Sequence, residues 1–194
     1  VEYPDLHPVT LIGDRVILRE VHPEQDSAAA FVFGSDPKFF RYLPHEPVTT
    51  QEEERTFLSR VSDAARARPR REYHLGILSK ETDEFIGMTR LTISAPSHRG
   101  GDIGYGIRPD QWGQGLATEA ASVIVGFGFD QLGLHRISAV HHPENLASGR
   151  VLQKVGMRRE GRLRENLLAH GAWRDSIAYA ILDREWHADP RDES

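Results

Sequence analysis

At 194 residues and 21.9 kDa, with 39% hydrophobic and 27% charged residues, the chain is long enough to bury its own core and has the balance of an ordinary globular protein. It contains no Cys, which excludes a disulfide scaffold, a thiolate metal site, an iron–sulfur cluster and a cysteine acyl-enzyme. A net charge of −5 and a pI near 6.1 speak against a general nucleic-acid binder, whose affinity rests on basic contacts to phosphate, and no apolar run approaches the ~18 residues of a membrane span.

Val16–Glu20 follows the turn pair Gly13-Asp14 and reads as the first strand. His22-Pro23-Glu24 opens a helix, with Pro at a first helical position where its missing N–H costs nothing; this helix ends near Gly34–Pro37. Beyond a loop with Pro44 and Pro47, Thr50 and Glu53 form a capping-box pattern, and a helix is predicted from there to about Arg68, stopped by Pro69. Tyr73–Leu78 and Phe85–Ile93, joined by the polar turn at Lys80-Glu81-Thr82-Asp83, predict a hairpin. Gly101–Ile107 is a further strand, Arg108–Gln114 a connector, and Gly115–Gln131 a helix ending near Gly133. Arg136–Val140 is a short apolar strand; His142-Pro143-Glu144-Asn145 leads into a helix that stops at Gly156. Met157–Arg164 and Trp173–Leu182 form a last hairpin, and the polar tail after Trp186 is expected to fray. The order predicts an α/β fold: a mixed sheet of about six to seven strands flanked by about four helices, in one domain over residues 1–194 with a core at about 10–186 and tails at 1–9 and 187–194.

The most informative stretch is Ile103–Ala120, where a strand runs into a glycine-bearing turn that opens a helix. The first amides of a helix lack intrahelical partners, and the helix dipole adds partial positive charge there. Gly113 and Gly115 remove side chains that would block close approach, and Ala117 keeps the first turn slim. The product is a row of N–H groups suited to a diphosphate; a plain strand–helix turn that needs glycine for its dihedrals is the alternative. Leu116-Ala117 replaces the Lys-Ser/Thr of a P-loop, and Thr118 stands where a dinucleotide fingerprint needs its third glycine.

Together with Asn145-x-x-Ser148 and Lys154-Val155-Gly156-Met157, this stretch resembles the GNAT superfamily of acyl-CoA-dependent N-acetyltransferases. Within it, the ribosomal-protein N-terminal acetyltransferase (RimJ/RimL-like) branch is the most similar. The resemblance spans about Thr10 to Trp186. It implies a GNAT fold whose sheet splays between the strand ending at Ile107 and Arg136–Val140, leaving a cleft for the pantetheine arm of acetyl-CoA. It also implies cofactor contacts from Ile107, from the turn Trp112, Gly113, Gln114, Gly115, Leu116, Ala117 and Thr118, and from Asn145 and Ser148. Trp112 stands where the family pattern has Gln or Arg, which puts a side-chain contact from that position in question. Asn145 also reads as an ordinary helix N-cap.

Acyl transfer to an amine needs a neutral amine, in-line reactants, a donor for the oxyanion and a proton or hydrogen bond for the departing thiolate. Without cysteine, direct attack in a ternary complex is the economical route. Many family members carry a Tyr acid where this chain has Leu152, so Ser148 is the candidate substitute. Asp102 and Glu165 are the candidate bases, with Glu160 and His141 behind them, each weighed against an ordinary solvated role. No His-x-x-x-His pair appears, so no metal is expected. Arg66, Arg68, Arg70 and Arg71 are expected to lie on a solvated face.

The resemblance therefore implies an acetyltransferase acting on a primary amine, either a protein N-terminus or a small molecule, expected to be cytoplasmic, with the negative charge favouring a cationic acceptor. Neither a nucleic-acid nor a membrane partner is expected, and the resemblance leaves a homodimer open. The alternatives are a catalytically silent acyl-CoA-binding or sensory domain, transfer of another acyl group such as succinyl, or a nucleotide-binding module.

Overall fold

The computed structural model describes residues 3–188, so most of the polar tail expected to fray lies outside the described residues. Eight strands form one mixed sheet: β1 (Thr10–Ile12), β2 (Val16–Glu20), β3 (Glu72–Ser79), β4 (Phe85–Ala95), β5 (Gly100–Ile107), β6 (Arg136–His141), β7 (Arg158–Ala169) and β8 (Ala172–Leu182). Their spatial order is β1-β2-β3-β4-β5-β6-β8-β7. The helices are α1 (Pro23–Gly34), α2 (Pro37–Phe40), α3 (Gln51–Ala64), α4 (Leu116–Asp130), α5 (Leu146–Lys154) and α6 (Asp183–Trp186).

The α/β class and the hairpins hold. β1, α2 and α6 are additions of three or four residues each, too short to carry a periodic signal. The helix expected to reach Arg68 ends at Ala64. The chain leaves it early to carry Arg70 inward, where its guanidinium meets Glu20 at 2.7 Å and lies over the Tyr73 ring. Arg70 is thus buried and paired, not on the solvated face expected for its cluster. Nor is the segment before Thr10 a loose tail along its described length: Val9 is buried and the Tyr3 hydroxyl donates to the Pro96 carbonyl.

Alternation along the strands divides the apolar residues between two sheet faces. Leu75, Ile77, Leu91, Ile103 and Ile107 pack with Ala120, Ile124 and Phe127 of α4. On the other face, Leu78, Phe85 and Met88 pack with Phe33 of α1 and Leu58 and Val61 of α3.

The feature that positions the site is the junction of β5 and β6. Every other neighbouring pair is antiparallel; this pair is parallel and is registered only from Gly100–Arg136 to Asp102–Ser138. Beyond Asp102, β5 continues to Ile107 and β6 to His141 without pairing, so the sheet opens between them. The Arg108 amide donates back to Ile86 on β4. Strand alternation therefore turns the peptide groups of Tyr105 and Ile107 toward the gap.

Candidate active site

The turn at the mouth of this gap is built from main chain. Pro109–Gln111 forms a short 3-10 turn, and Gly113 and Gly115 adopt φ of 79° and 82°. This left-handed region strains any residue with a β-carbon. Gly115 is the N-cap of α4 and supplies no side-chain cap. Among the described residues, the backbone amides from Gly113 to Thr118 have no hydrogen-bond acceptor, and Gly113, Gln114 and Gly115 are exposed. Leu116 turns its side chain into the core, while Ala117 and Thr118 are half-buried.

Two side chains that the sequence reading missed brace this turn. The Glu119 carboxylate accepts from the amides of Arg15 and Val16 at 2.6 and 3.1 Å and meets Arg15 Nε at 3.0 Å. Arg15 Nη1 in turn donates to the Gln114 carbonyl at 2.9 Å. Burial pushes the Glu119 carboxyl up, but the two amides and the guanidinium together hold it below its ordinary value. Arg15 also leaves a cation beside Gly115. Its pairing with a carboxylate 104 positions away has no local sequence signal.

Trp112 differs from its expected role in one respect. Its indole Nε1 donates to the Ile107 carbonyl at 2.6 Å, so the donor it would offer a cofactor is occupied in tying the turn to the end of β5. Asn145 is a helix cap: its Oδ1 accepts from the Ser148 amide at 3.1 Å.

Ser148 lies across the gap from β5 and has a partner the sequence reading did not name. The Tyr105 hydroxyl sits 3.1 Å from both the carbonyl oxygen and Oγ of Ser148. Burial pushes the Tyr105 hydroxyl up to about 12, against a smaller opposing effect of Ser148, so it keeps its proton at neutral pH. A signal was present in Gly104-Tyr105-Gly106, a lone large side chain between two glycines on the gap-lining strand. Leu152, at the position of the missing Tyr acid, is buried in the core.

The candidate bases are dispersed. Asp102 lies at the closed base of the gap and is held by Arg90 Nη2 at 2.7 Å. Glu165 is exposed in the irregular stretch of β7 with φ of 46°; its amide is tied to Asp175 Oδ1. Glu160 pairs with Arg136, at the closed end of β6, and this hydrogen bond lowers its carboxyl below the ordinary range. His141 is buried, with Nδ1 2.7 Å from the His142 carbonyl and Nε2 without a partner. The structure thus joins Ser148 and Asn145 on α5 to the rim of the gap, but does not bring Asp102 and Glu165 together.

On the opposite face of β5, a cavity of about 660 Å³ lies between the sheet and the α1–α3 segment. Its floor includes Gly104 and Gly106, where the sheet presents no side chains, and its walls include Phe33, Phe39, Phe57 and Met88. A β-carbon at Gly106 would lie 2.5 Å from the Phe39 ring, so glycine there lets Phe39 close on the strand. The gap and the cavity therefore flank the same stretch of β5.

The family model for the acetyltransferase (GNAT) domain matches residues 15–158. The chain is 36% identical over 169 residues to the Bacillus subtilis (strain 168) protein named uncharacterized N-acetyltransferase YoaA, covering 87% of this chain and 94% of that one. It is 28% identical over 186 residues to the Escherichia coli (strain K12) [ribosomal protein uS5]-alanine N-acetyltransferase, covering 92% and 93%. Among solved structures, Mycobacterium smegmatis RimJ in complex with CoA-disulfide superposes with a TM-score of 0.83 at 29% identity, covering 96% of this chain and 93% of that one. With the splayed strands, the open helix N-terminus and the match over most of its length, the chain belongs to the GNAT family of N-acetyltransferases, whose general reaction is the acetyl-CoA-dependent acetylation of an amine.

Proposed function

We propose that this chain binds acetyl-CoA in the gap between β5 and β6 and acetylates a primary amine that enters from the cavity on the other face of β5. The observation that carries the reading is the run of unpartnered, outward-facing amides from Gly113 to Thr118 at the mouth of that gap. Exposed amides at a helix N-terminus favour an anion, and Arg15 adds a charge beside them. The donor set fits a diphosphate. The peptide group of Tyr105 and the Ile107 amide face the gap in strand geometry and would pair with an amide-bearing arm such as pantetheine, the Ile107 carbonyl being held by Trp112. Acetyl-CoA, when bound, supplies an activated acyl group and a thiolate leaving group.

The chain's own groups then have separate tasks. With Tyr105 donating to Ser148 Oγ rather than to the carbonyl, the serine hydroxyl hydrogen is free for the departing sulfur, and the phenol can restore it. This relay replaces the Tyr acid absent at Leu152. Asn145 holds the first turn of α5, and with it Ser148, in place. Asp102, already engaged by Arg90, is a weaker base candidate than its sequence position suggested, and water is the better proton acceptor for the attacking amine. Among relatives, one is named for the N-acetylation of an alanine of ribosomal protein uS5. By that likeness an N-terminal amine is the acceptor proposed here, with small amines as the alternative, within one acetyltransferase domain acting in the cytoplasm.

The test is thiol release from acetyl-CoA with peptides and small amines as acceptors. We expect amine-dependent release. Tight coenzyme binding without release for any amine would instead assign a silent acyl-CoA-binding domain. Stabilisation by NAD or ATP but not by CoA would overturn the cofactor assignment.

A further inference from the structure

We propose that Glu54 receives the acceptor as its ammonium, which gives up one proton to water before the neutral amine attacks, and that the acceptor is a primary amine carried on an apolar body rather than a polycation. The inference rests on the acetyltransferase reading above and adds the class of acceptor.

Glu54 is only 5% exposed and lines the cavity. Of the other charged groups on the cavity wall, Arg60 is exposed and has no ion pair among the described residues, and the rest are engaged. Glu52 pairs with Arg55, Glu53 accepts from the Thr49 amide and hydroxyl, Glu46 meets His170, and Arg90 meets Asp102. Glu54 has no side-chain hydrogen bond or ion pair among the described residues. Burying a carboxylate without a partner is costly, and buried polar groups left unpaired in native proteins call for an explanation.

The fold also makes room for this carboxylate. A β-carbon at Gly34, the last residue of α1, would lie 2.6 Å from Glu54 Oε2. Burial pushes the Glu54 carboxyl upward, the condition that an arriving cation reverses. Around it, the walls are aromatic and aliphatic: Phe33, Phe39, Phe40, Leu43, Phe57 and Met88. A polyamine would bring further cations, and the other carboxylates on the wall, Glu46, Glu52 and Glu53, are exposed and already engaged. An amine on an aromatic or aliphatic body satisfies both the lone charge and the lining. A small aralkylamine and the N-terminus of a peptide starting with apolar residues share this chemistry.

The experiment titrates phenethylamine, its neutral analogue 2-phenylethanol, spermidine and a peptide beginning Ala-Phe into wild-type protein saturated with CoA, and measures acetylation of the three amines. Coenzyme saturation is read first; its failure would count against the acetyltransferase reading and not against Glu54 alone. We expect phenethylamine or the peptide to bind, whichever source the site serves, and the neutral analogue and spermidine to bind at least about tenfold more weakly, the worth of a charged hydrogen bond. Glu54→Gln should raise KM for the preferred amine by about 10- to 100-fold while leaving CoA affinity unchanged. Equal binding of 2-phenylethanol and phenethylamine, preference for spermidine, binding of none of them, or an unchanged amine KM in a folded Glu54→Gln protein would each overturn the proposal.

Discussion

On the proposed reading, the two sides of β5 solve different recognition problems with different materials. Toward α4 and α5 the molecule offers main chain: free amides from Gly113 to Thr118 and the peptide groups of Tyr105 and Ile107, held rigid by Glu119, Arg15 and Trp112. Toward α1–α3 it offers side chains: an aromatic enclosure and one unpaired carboxylate. Backbone donors serve a ligand part that is the same in every catalytic cycle, because their geometry is set by helix and strand formation. Side chains on α1–α3 and their loops can change the second ligand without disturbing the first. One enzyme can thus keep its coenzyme while its acceptor side varies.

The largest expected effect is on the main-chain side. Gly115→Trp imposes a bulky side chain at φ of 82° in the middle of the amide row, and should weaken CoA binding by at least about 100-fold. A variant that binds CoA normally would show that the row is not the site. Next is the relay. Ser148→Ala should lower kcat by about 10- to 100-fold, with CoA affinity within about twofold, as expected on losing a proton donor. Tyr105→Phe should follow the same pattern at smaller size, and should remove a phenol that ionises near pH 12 from a spectroscopic titration. An equal loss of kcat and of coenzyme affinity in both variants would make the pair structural.

Glu119 and Glu54 sharpen the contrast because they respond to pH with opposite sign. Glu119 is held below its ordinary 4.5. Its contribution to stability is therefore complete above that value and is lost as pH falls through the lower folded value. Glu54 is pushed above 4.5, so folding favours its protonated form, and at neutral pH its ionisation costs stability. Thermal unfolding across pH should show Glu119→Gln less stable than wild type at pH 7, with the gap closing in acid. Glu54→Gln should be at least as stable as wild type at pH 7, its advantage shrinking as pH falls through the raised folded value and gone below about 4.5. The same sign for both variants would dissolve the distinction. The smallest effect is at the cap: Asn145→Ala should cost about 1 kcal/mol, with an unchanged CoA affinity making Asn145 a cap alone and a weakened one making it a coenzyme contact as well.

What was legible in the sequence divides along the same line. A main-chain anion site requires glycines at fixed places, so Gly113 and Gly115 announced the turn, and strand periodicity announced all of the sheet but β1. The cap at Asn145 was readable because its partner, Ser148, is three residues away. The proposed acceptor side was not readable, since Phe33, Glu54, Met88 and Gly106 come from separate elements that only the folded sheet assembles. Glu54 in a Glu-rich first turn of α3 looks like a dipole-favoured surface residue; only burial against Gly34 sets it apart. Asp102 and Glu165 attracted attention by position along the chain. Their partners Arg90 and, for the Glu165 amide, Asp175 emerge from strand register, which sequence spacing does not specify.

The most direct test of the main-chain account compares CoA with pantetheine, which lacks the diphosphate, in calorimetric titrations of the wild-type protein. The account predicts saturable CoA binding at least about 100-fold tighter than pantetheine, with the difference abolished in Gly115→Trp. Equal affinities for the two ligands, or no saturable binding of CoA, would contradict it.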